Sequence, residues 1–170
     1  MANQVTFIWP VDGGPYIVTQ GFAQNPKAYE RFNLPGHDGL DLPAEFGQPI
    51  VALFDGEIFE TSSQRKRGYN HSYGLHLRLK AKIGGVLIEA TFAHLSSTAV
   101  KPGNIVRAGE IIGLAGNSGN VRPQPWPQNP TAGTHLHLSL KAIGHPAITP
   151  EGDPWPYNLV DPTPYFAELR

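Results

Sequence analysis

Residues 134–141, Thr-His-Leu-His-Leu-Ser-Leu-Lys, carry the clearest structural pattern in this chain of 170 amino acids. Leucines alternate there with polar residues, and side chains two positions apart lie on the same face of a β-strand. The leucines are therefore predicted to face a core, whereas His135, His137 and Ser139 share the opposite face. Two neighbouring imidazoles at this spacing suit a metal ligand beside a catalytic base. The alternative is a solvated polar face on which the histidines have no role.

The same alternation of leucine with polar residues predicts a strand at Leu75–Lys80. Turn residues divide the rest of the chain: Asp55-Gly56 is a hairpin signal, and Lys101-Pro102-Gly103-Asn104 fits a type II turn. Between such turns, short apolar runs predict six further strands, at residues 5–9, 16–22, 50–53, 57–61, 87–94 and 111–115.

Composition supports many short strands rather than long helices. Glycine (19) and proline (17) together make up 36 residues, about twice the usual share. No internal repeat or sustained helical period is present. Residues 116–134 form a long loop, and a loop of this length in a compact domain is often functional. We therefore predict a mainly β fold, an antiparallel β sandwich or open barrel with long loops around a groove.

Charge and cysteine content exclude several classes of function. The 13 basic and 14 acidic residues give a formal net charge of −1, with no basic stripe or polybasic run. Nucleic acid and anionic lipid are therefore not indicated as partners, and no segment has the roughly 20 apolar residues of a membrane span. Cysteine is absent, which excludes disulfides, thiolate ligands and a thiol nucleophile. Residues 1–4 lack the features of a secretory signal.

Two further segments hold histidines in positions that suit chemistry. Residues 36–42, Gly-His-Asp-Gly-Leu-Asp-Leu, place His37 and Asp41 around a glycine, and imidazole and carboxylate are good zinc ligands. An exposed turn is the alternative. His94 ends the strand predicted at residues 87–94, next to a loop where catalytic groups often lie. The three remaining histidines are expected to be structural or solvated: His71, His76 and His145.

Together, these residues form the pattern His37-x-x-x-Asp41, His94 and His135-x-His137, which resembles the M23 family of metallopeptidases, the lysostaphin and LytM-like enzymes. The resemblance extends from about Tyr16 to Lys141. The flanking segments are similar as well, at residues 35–42, 47–52, 55–56, 100–103, 109–113 and 116–119.

The resemblance implies a zinc-dependent endopeptidase that hydrolyses peptide bonds in bacterial peptidoglycan cross-links or stem peptides. It implies one Zn²⁺ per chain, bound by His37, Asp41 and His137. Three protein ligands leave the fourth position for water, as in catalytic zinc sites. His94 and His135 are implied as catalytic residues beside the metal, and which of them is the general base stays open.

The resemblance also implies how the whole chain is organised. The expected fold is duplicated-hybrid-motif-like, in a single domain over residues 1–170 with a core at about 16–141 and a proline-rich C-terminal wrap at 142–170. We expect a monomer that acts on the cell wall, outside the cytoplasm. Three contexts stay open: a phage lytic enzyme (endolysin) released on lysis, a component of a phage particle, and an excised domain.

Two features depart from the family pattern. Phe92 stands where members often carry tyrosine, so a hydrogen bond from that hydroxyl is lost, and the loop at 116–134 is longer than usual and is expected at the rim of the groove. Two other functions fit part of the pattern. One is an Fe(II) enzyme with a 2-His-1-carboxylate triad, and the other is a non-catalytic wall-binding or activator module, which the five intact positions disfavour.

Overall fold

Two antiparallel sheets form the fold in the computed structural model, which describes residues 6–63 and 73–169. Both sheets are open rather than closed into a barrel, which confirms the predicted mainly β, antiparallel class. The strands in the described ranges are β1 Leu40–Pro43, β2 Pro49–Val51, β3 Gly56–Ser63, β4 Leu75–Ile83, β5 Val86–Ala93, β6 Leu95–Thr98, β7 Ile105–Val106, β8 Ile111–Ala115, β9 His135–Ala142 and β10 Leu159–Val160.

The larger sheet has the order β1-β9-β5-β4-β3-β7, and the smaller sheet has the order β2-β8-β6. β9 is the strand that the alternating leucines predict. On one edge it pairs with β1, with Asp41 opposite His137, and further along with β10, with Leu159 opposite Lys141. On its other edge it pairs with β5, with Ala93 opposite His137. Because β9 is paired on both edges, the positions of its side chains are fixed by the register.

The core confirms the predicted leucine face. Leu136, Leu138 and Leu140 of β9 are each 0% exposed, and Leu77 and Leu79 of β4 are equally buried. Full burial of a leucine side chain contributes about 2–3 kcal/mol through the hydrophobic effect. These leucines hold the sheet against the core and leave its other face available for polar groups.

Two predicted strands near the N-terminus are wrong. The described part of residues 5–9 makes hydrogen bonds to different partners, Phe7 N–H to the Tyr165 carbonyl (2.8 Å) and Ile8 N–H to the Leu53 carbonyl (3.0 Å), and forms no ladder. In residues 16–22, the antiparallel bridge between Gln20 and Asp41 is isolated. Apolar runs alone do not make strands when no neighbouring strand continues the pairing.

The hairpin predicted at Asp55-Gly56 is also wrong, because β2 and β3 belong to different sheets. Asp55 accepts a hydrogen bond from Ala108 N–H (2.8 Å) where the chain passes between the sheets. A Cβ on Gly56 would lie 2.5 Å from the Lys80 carbonyl oxygen, so glycine is required by close strand packing. The type II turn at 101–104 is confirmed: Gly103 has φ +90°, and Asn104 N–H bonds the Lys101 carbonyl (3.1 Å).

The C-terminal segment after β9 packs on the rest of the fold. Trp155 is buried and its ring packs on Phe22, with 4.3 Å between centroids. Phe166 is 0% exposed and contacts Trp9 edge-on. In the described residues, no helix has the length and apolar character needed to cross a membrane.

Candidate metal centre

Strand pairing brings the five predicted site residues to one end of the larger sheet. β9 supplies His135 and His137, and β1 places Asp41 directly opposite His137. His37 lies three residues before β1, and His94 follows the last residue of β5. Residues that are up to 100 positions apart in the chain therefore meet at one site.

Three atoms converge at the centre of this site. Nε2 of His37 lies 3.0 Å from Nδ1 of His137 and 3.2 Å from Oδ1 of Asp41. The same Asp41 oxygen lies 3.0 Å from Nδ1 of His137. Ligand atoms of a tetrahedral zinc ion, at about 2.0–2.2 Å from the metal, lie roughly 3.3–3.6 Å apart. The three atoms are thus only slightly closer together than zinc ligands would be.

The hydrogen bonds around His37 and His137 determine which nitrogen faces the centre. Nδ1 of His37 lies 3.0 Å from the Gly21 carbonyl oxygen, which can only accept, so Nδ1 carries the proton and Nε2 presents a lone pair. Nε2 of His137 lies 3.4 Å from the carboxylate of Asp38, which favours a proton there and a lone pair on Nδ1. Two lone pairs and the Asp41 carboxylate therefore face one another, an arrangement that a cation stabilises.

Two carboxylates compete for the role of metal ligand. Asp38 forms a group of possible ligands with His37 and His137, with ligand atoms within 4.8 Å of one another. Asp41 is the better candidate, because its Oδ1 lies within 3.2 Å of both inward-facing nitrogens. Asp38 lies at the outward-facing nitrogen of His137 and accepts a hydrogen bond from the Tyr73 hydroxyl.

His94 and His135 stand beside the three converging atoms. Nδ1 of His94 donates to the Ser118 carbonyl (2.8 Å), and Nδ1 of His135 donates to the Gly133 carbonyl (2.8 Å). Each ring therefore presents its Nε2 lone pair, and the two ring centroids are 4.7 Å apart. His94 has φ +63°, a left-handed conformation that is uncommon for a non-glycine residue and is concentrated at functional sites.

Burial makes both of these histidines neutral at pH 7. Desolvation, together with the nearby His135 and His137, lowers the pKa of His94 to about 3. Desolvation also lowers the pKa of His135, although the Asp41 carboxylate opposes the shift. Two uncharged imidazoles with free Nε2 lone pairs can accept protons at neutral pH.

At Asp41 and His137 the surroundings have the opposite effect and favour the charged form. Burial alone would raise the pKa of Asp41, but the adjacent rings of His137 and His37 outweigh it and hold that pKa far below its usual range. Burial likewise opposes the charging of His137, but the Asp38 and Asp41 carboxylates raise the pKa of its ring. The Asp41 carboxylate is therefore ionised, as a metal ligand must be.

The centre opens into a cleft of about 1630 Å³. On one side lie a short helix, Pro26–Tyr29, and a turn of 3-10 helix, Glu30–Phe32. The loop at 116–134 contributes Arg122 and neighbouring residues to the lining, so a long loop does border the groove as predicted. Asn117 fixes this loop internally by donating to the carbonyls of residues 130 and 132, at 2.9 and 3.0 Å.

Phe92 lies on the other side of the sheet from the site. Its side chain is 0% exposed and faces the core, opposite Leu138 in the register. The tyrosine hydroxyl that some family members carry at this position is therefore replaced here by an apolar contact inside the core. Phenylalanine in place of tyrosine at position 92 therefore removes no hydroxyl from the cleft.

The three remaining histidines have different surroundings. His76 is buried in the cleft wall, with Nδ1 2.9 Å from the Gly74 carbonyl and Nε2 3.4 Å from Glu60. His145 is exposed in the turn after β9. His71 lies outside the described residues.

Sequence reasoning missed the contact between Asp38 and Tyr73. Asp38 is part of the motif at residues 36–42 but had no role assigned, and Tyr73 is 35 positions away. No pattern in the sequence indicates this pair, because the two residues meet only when segment 36–42 packs beside the start of β4.

Sequence comparison identifies the family of this chain. The sequence model of peptidase family M23 matches residues 35–150, more than half of the chain. The chain belongs to this family. All five predicted site residues fall within the matched segment.

Curated relatives are longer than this M23 chain. DD-carboxypeptidase/endopeptidase Mpg of Neisseria meningitidis is 30% identical over 161 residues, covering 87% of this chain and 31% of that protein. Peptidoglycan DD-endopeptidase ShyB of Vibrio cholerae is 26% identical over 145 residues, covering 85% of this chain and 30% of that protein. The chain thus spans about a third of the length of these relatives.

Solved structures share the fold. The catalytic domain of lysostaphin from Staphylococcus simulans has a TM-score of 0.54 and 23% identity, covering 96% of this chain and 92% of that one. A zinc-containing peptidase from Vibrio cholerae has a TM-score of 0.61 and 23% identity, covering 98% of this chain and 41% of that one. At this identity, both likenesses describe the fold alone.

Proposed function

We propose that this M23 chain is a zinc-dependent endopeptidase that hydrolyses peptide bonds in bacterial peptidoglycan cross-links or stem peptides. The observation that carries the proposal is the convergence of His37 Nε2, Asp41 Oδ1 and His137 Nδ1, at 3.0–3.2 Å from one another. Relatives named as DD-endopeptidases that act on peptidoglycan support the choice of substrate. A related structure described as a zinc-containing peptidase supports the choice of metal.

The donor set fits a catalytic zinc ion. His37, Asp41 and His137 would hold one zinc ion per chain, and three protein ligands leave a coordination position open. A zinc ion bound there supplies a water of lowered pKa and polarises a peptide carbonyl. The same ligand types also suit the Fe(II) triad, but the two neutral histidines beside the ligands favour hydrolysis, which requires proton transfer.

His94 and His135 would handle the protons of the reaction. Hydrolysis adds the oxygen of water to the peptide carbonyl carbon, breaks the C–N bond and delivers a proton to the leaving amine. Each of these imidazoles presents an Nε2 lone pair held in place by a carbonyl at the opposite nitrogen. One of them can take a proton from water, and an imidazolium so formed can return it to the amine. This pair also makes a non-catalytic module the weaker alternative.

The charges of the cleft favour an acidic peptide. Positive side chains outnumber negative ones around the central aspartates, and one of them, Arg78, is paired with Glu60 at 3.2 Å. A peptide stem with free carboxylates is complementary to such a lining, whereas a neutral glycine bridge is not. The positive residues that line the cleft are Lys27, Arg31, Arg78, Arg122 and Lys141. We further propose that the chain acts as a monomer on the cell wall.

Zinc content and release of new amino groups from purified peptidoglycan test the proposal together. We expect one zinc ion per chain and amine release for the wild type, and the loss of both in His137→Ala. His145→Ala removes an exposed histidine outside the site and serves as the matched control. Zinc binding without cleavage of any peptidoglycan preparation would contradict the proposed activity, and stoichiometric iron in place of zinc would contradict the proposed metal.

A further inference from the structure

His137 differs from the other histidines of the metal centre in the hydrogen bonding of Nε2, the ring nitrogen that faces away from the converging atoms. His37, His94 and His135 each donate through Nδ1 to a backbone carbonyl, at 2.8–3.0 Å. Nε2 of His137 is buried and makes no well-aligned hydrogen bond within the described residues. The acidic oxygen beside it is Oδ1 of Asp38, at 3.4 Å. A buried N–H without an acceptor is costly, so this carboxylate is the group that can satisfy it.

Asp38 is itself held in place. Its carboxyl group is largely buried, at 8% exposure for the residue, and Oδ2 accepts a hydrogen bond from the Tyr73 hydroxyl. The Tyr73 ring stacks on His137, with centroids 5.3 Å apart and an interplanar angle of 26°. The Tyr73 carbonyl accepts from His94 N–H (2.9 Å), which ties this residue to the site. One oxygen of Asp38 is thus occupied while the other faces His137.

The neighbouring glycine allows this approach. A Cβ on Gly39 would lie 2.2 Å from the Leu138 carbonyl oxygen and 3.1 Å from Cε1 of His137. Because glycine has no such atom, the loop that carries Asp38 packs directly on β9. In the sequence His37-Asp38-Gly39, the first residue is a proposed zinc ligand and the second places its carboxylate beside His137. The third, glycine, leaves room for this segment to pack on β9.

We propose that Asp38 is a positioning residue for His137, and that the Tyr73 hydroxyl holds Asp38 in that role. By accepting the Nε2 proton, Asp38 keeps the Nδ1 lone pair of His137 directed at the metal. Carboxylates that hold the far nitrogen of a metal-bound imidazole orient the ring and strengthen the ligand. The inference rests on the proposed function, because it requires His137 to bind zinc.

Direct ligation by Asp38 is a different arrangement that the geometry disfavours. The two nitrogens of an imidazole point away from each other, so a metal held by Asp38 would have to bind Nε2 of His137. Such a metal would not be bound by Nδ1 of His137, although this atom lies 3.0 Å from Nε2 of His37 and 3.0 Å from Oδ1 of Asp41. The two arrangements differ in which nitrogen of His137 carries the proton in the zinc-loaded protein.

Zinc affinity of folded protein, measured by competition with a chromophoric chelator, tests the proposal without reference to activity. We expect Asp38→Ala to bind zinc roughly 10- to 100-fold more weakly than the wild type. Asp38→Asn keeps the shape, loses the charge and should be intermediate, and Tyr73→Phe should lose only a few-fold. Glu57→Gln removes a carboxylate that pairs with Lys80, away from the cleft, and should leave zinc affinity unchanged.

Nitrogen-15 NMR of the histidine rings in zinc-loaded wild type provides the second measurement. We expect a protonated Nε2 and a metal-bound Nδ1 for His137. Zinc affinities of folded Asp38→Ala and Asp38→Asn equal to the wild type would overturn the inference while leaving the proposed function intact. A metal-bound Nε2 would overturn it in favour of direct ligation. Absence of zinc binding by the wild type would overturn the proposed function and the inference together.

Discussion

The two faces of β9 are both buried, but for opposite physical reasons. Leu136 and Leu138 are 0% exposed, and their removal from water is favourable in itself. His137, between them in sequence, is 4% exposed on the other face, where burial costs free energy unless its polar atoms have partners. A buried apolar face therefore indicates a core. A buried polar face on which ring nitrogens and a carboxylate converge indicates a functional site.

Among variants that keep the three proposed zinc ligands, the largest expected effect comes from removing His135. His135→Ala should lower the rate of peptidoglycan hydrolysis by about 10²- to 10⁴-fold, because a proton-transferring group is lost. Its zinc content should remain at the wild-type level, since the three converging atoms belong to His37, Asp41 and His137 and are all retained. Amine release and metal analysis on the same preparation check both statements. Loss of zinc in this variant would make His135 a ligand.

The leucine face should respond in stability instead. Leu138→Ala creates a cavity in the core and should lower the free energy of unfolding by about 2–5 kcal/mol. The folded fraction should still bind zinc. Leu87→Ala, at a position that is 38% exposed, should cost less than about 1 kcal/mol. Urea unfolding of the metal-free proteins measures both, and equal effects at the two positions would contradict the assignment of the core face.

The neutral state of His94 predicts a pH dependence of stability. Its pKa is about 3 in the folded protein and 6.5 in an unfolded chain, so between these values the unfolded state binds the extra proton and acid favours unfolding. From pH 7 to pH 5, this group should cost the metal-free protein about 2 kcal/mol.

The matched variant is His94→Gln, which cannot titrate and keeps the left-handed backbone position at both pH values. Wild type should lose about 2 kcal/mol more than this variant between pH 7 and pH 5 in urea unfolding. Asp41 contributes little in this window, because its pKa lies below pH 5 in the unfolded chain, at 3.8, and lower still in the folded protein. If the free energy of unfolding falls equally in the two proteins between pH 7 and pH 5, folding does not lower the pKa of His94 and the prediction is wrong.

The smallest expected effect concerns the rim of the cleft. Arg122→Ala should raise KM for a stem peptide with free carboxylates by about two- to five-fold, because exposed ion pairs contribute little. The same peptide with amidated carboxylates should be cleaved equally by wild type and variant. An equal change for both peptides would mean that Arg122 acts by shape and not by charge.

The sequence predicts the leucine face well and the polar contacts poorly. A period of two places Leu136, Leu138 and Leu140 in the core because burial on one side of a strand repeats with that period. Spacing also puts His135 and His137 on one face, but their separate roles came from the resemblance to M23 enzymes. The role of Asp38 depends on the packing of its loop on β9, which leaves no periodic signal.

The errors in the predicted fold have the same origin. The strand predicted at 16–22 and the hairpin at 55–56 were inferred from local composition, whereas pairing depends on which segments become neighbours. Gly56 is explained by its approach to Lys80 in the adjacent strand and not by a tight turn. Local pattern therefore predicts which residues are buried more reliably than which strands pair.

A crystal structure of the zinc-loaded protein with anomalous data at the zinc edge tests the central claim most directly. We expect one anomalous peak at about 2.0–2.2 Å from His37 Nε2, Asp41 Oδ1 and His137 Nδ1, with Asp38 at the other nitrogen of His137. A peak bound by Asp38, or no zinc between these three residues, would contradict the assignment of the metal centre.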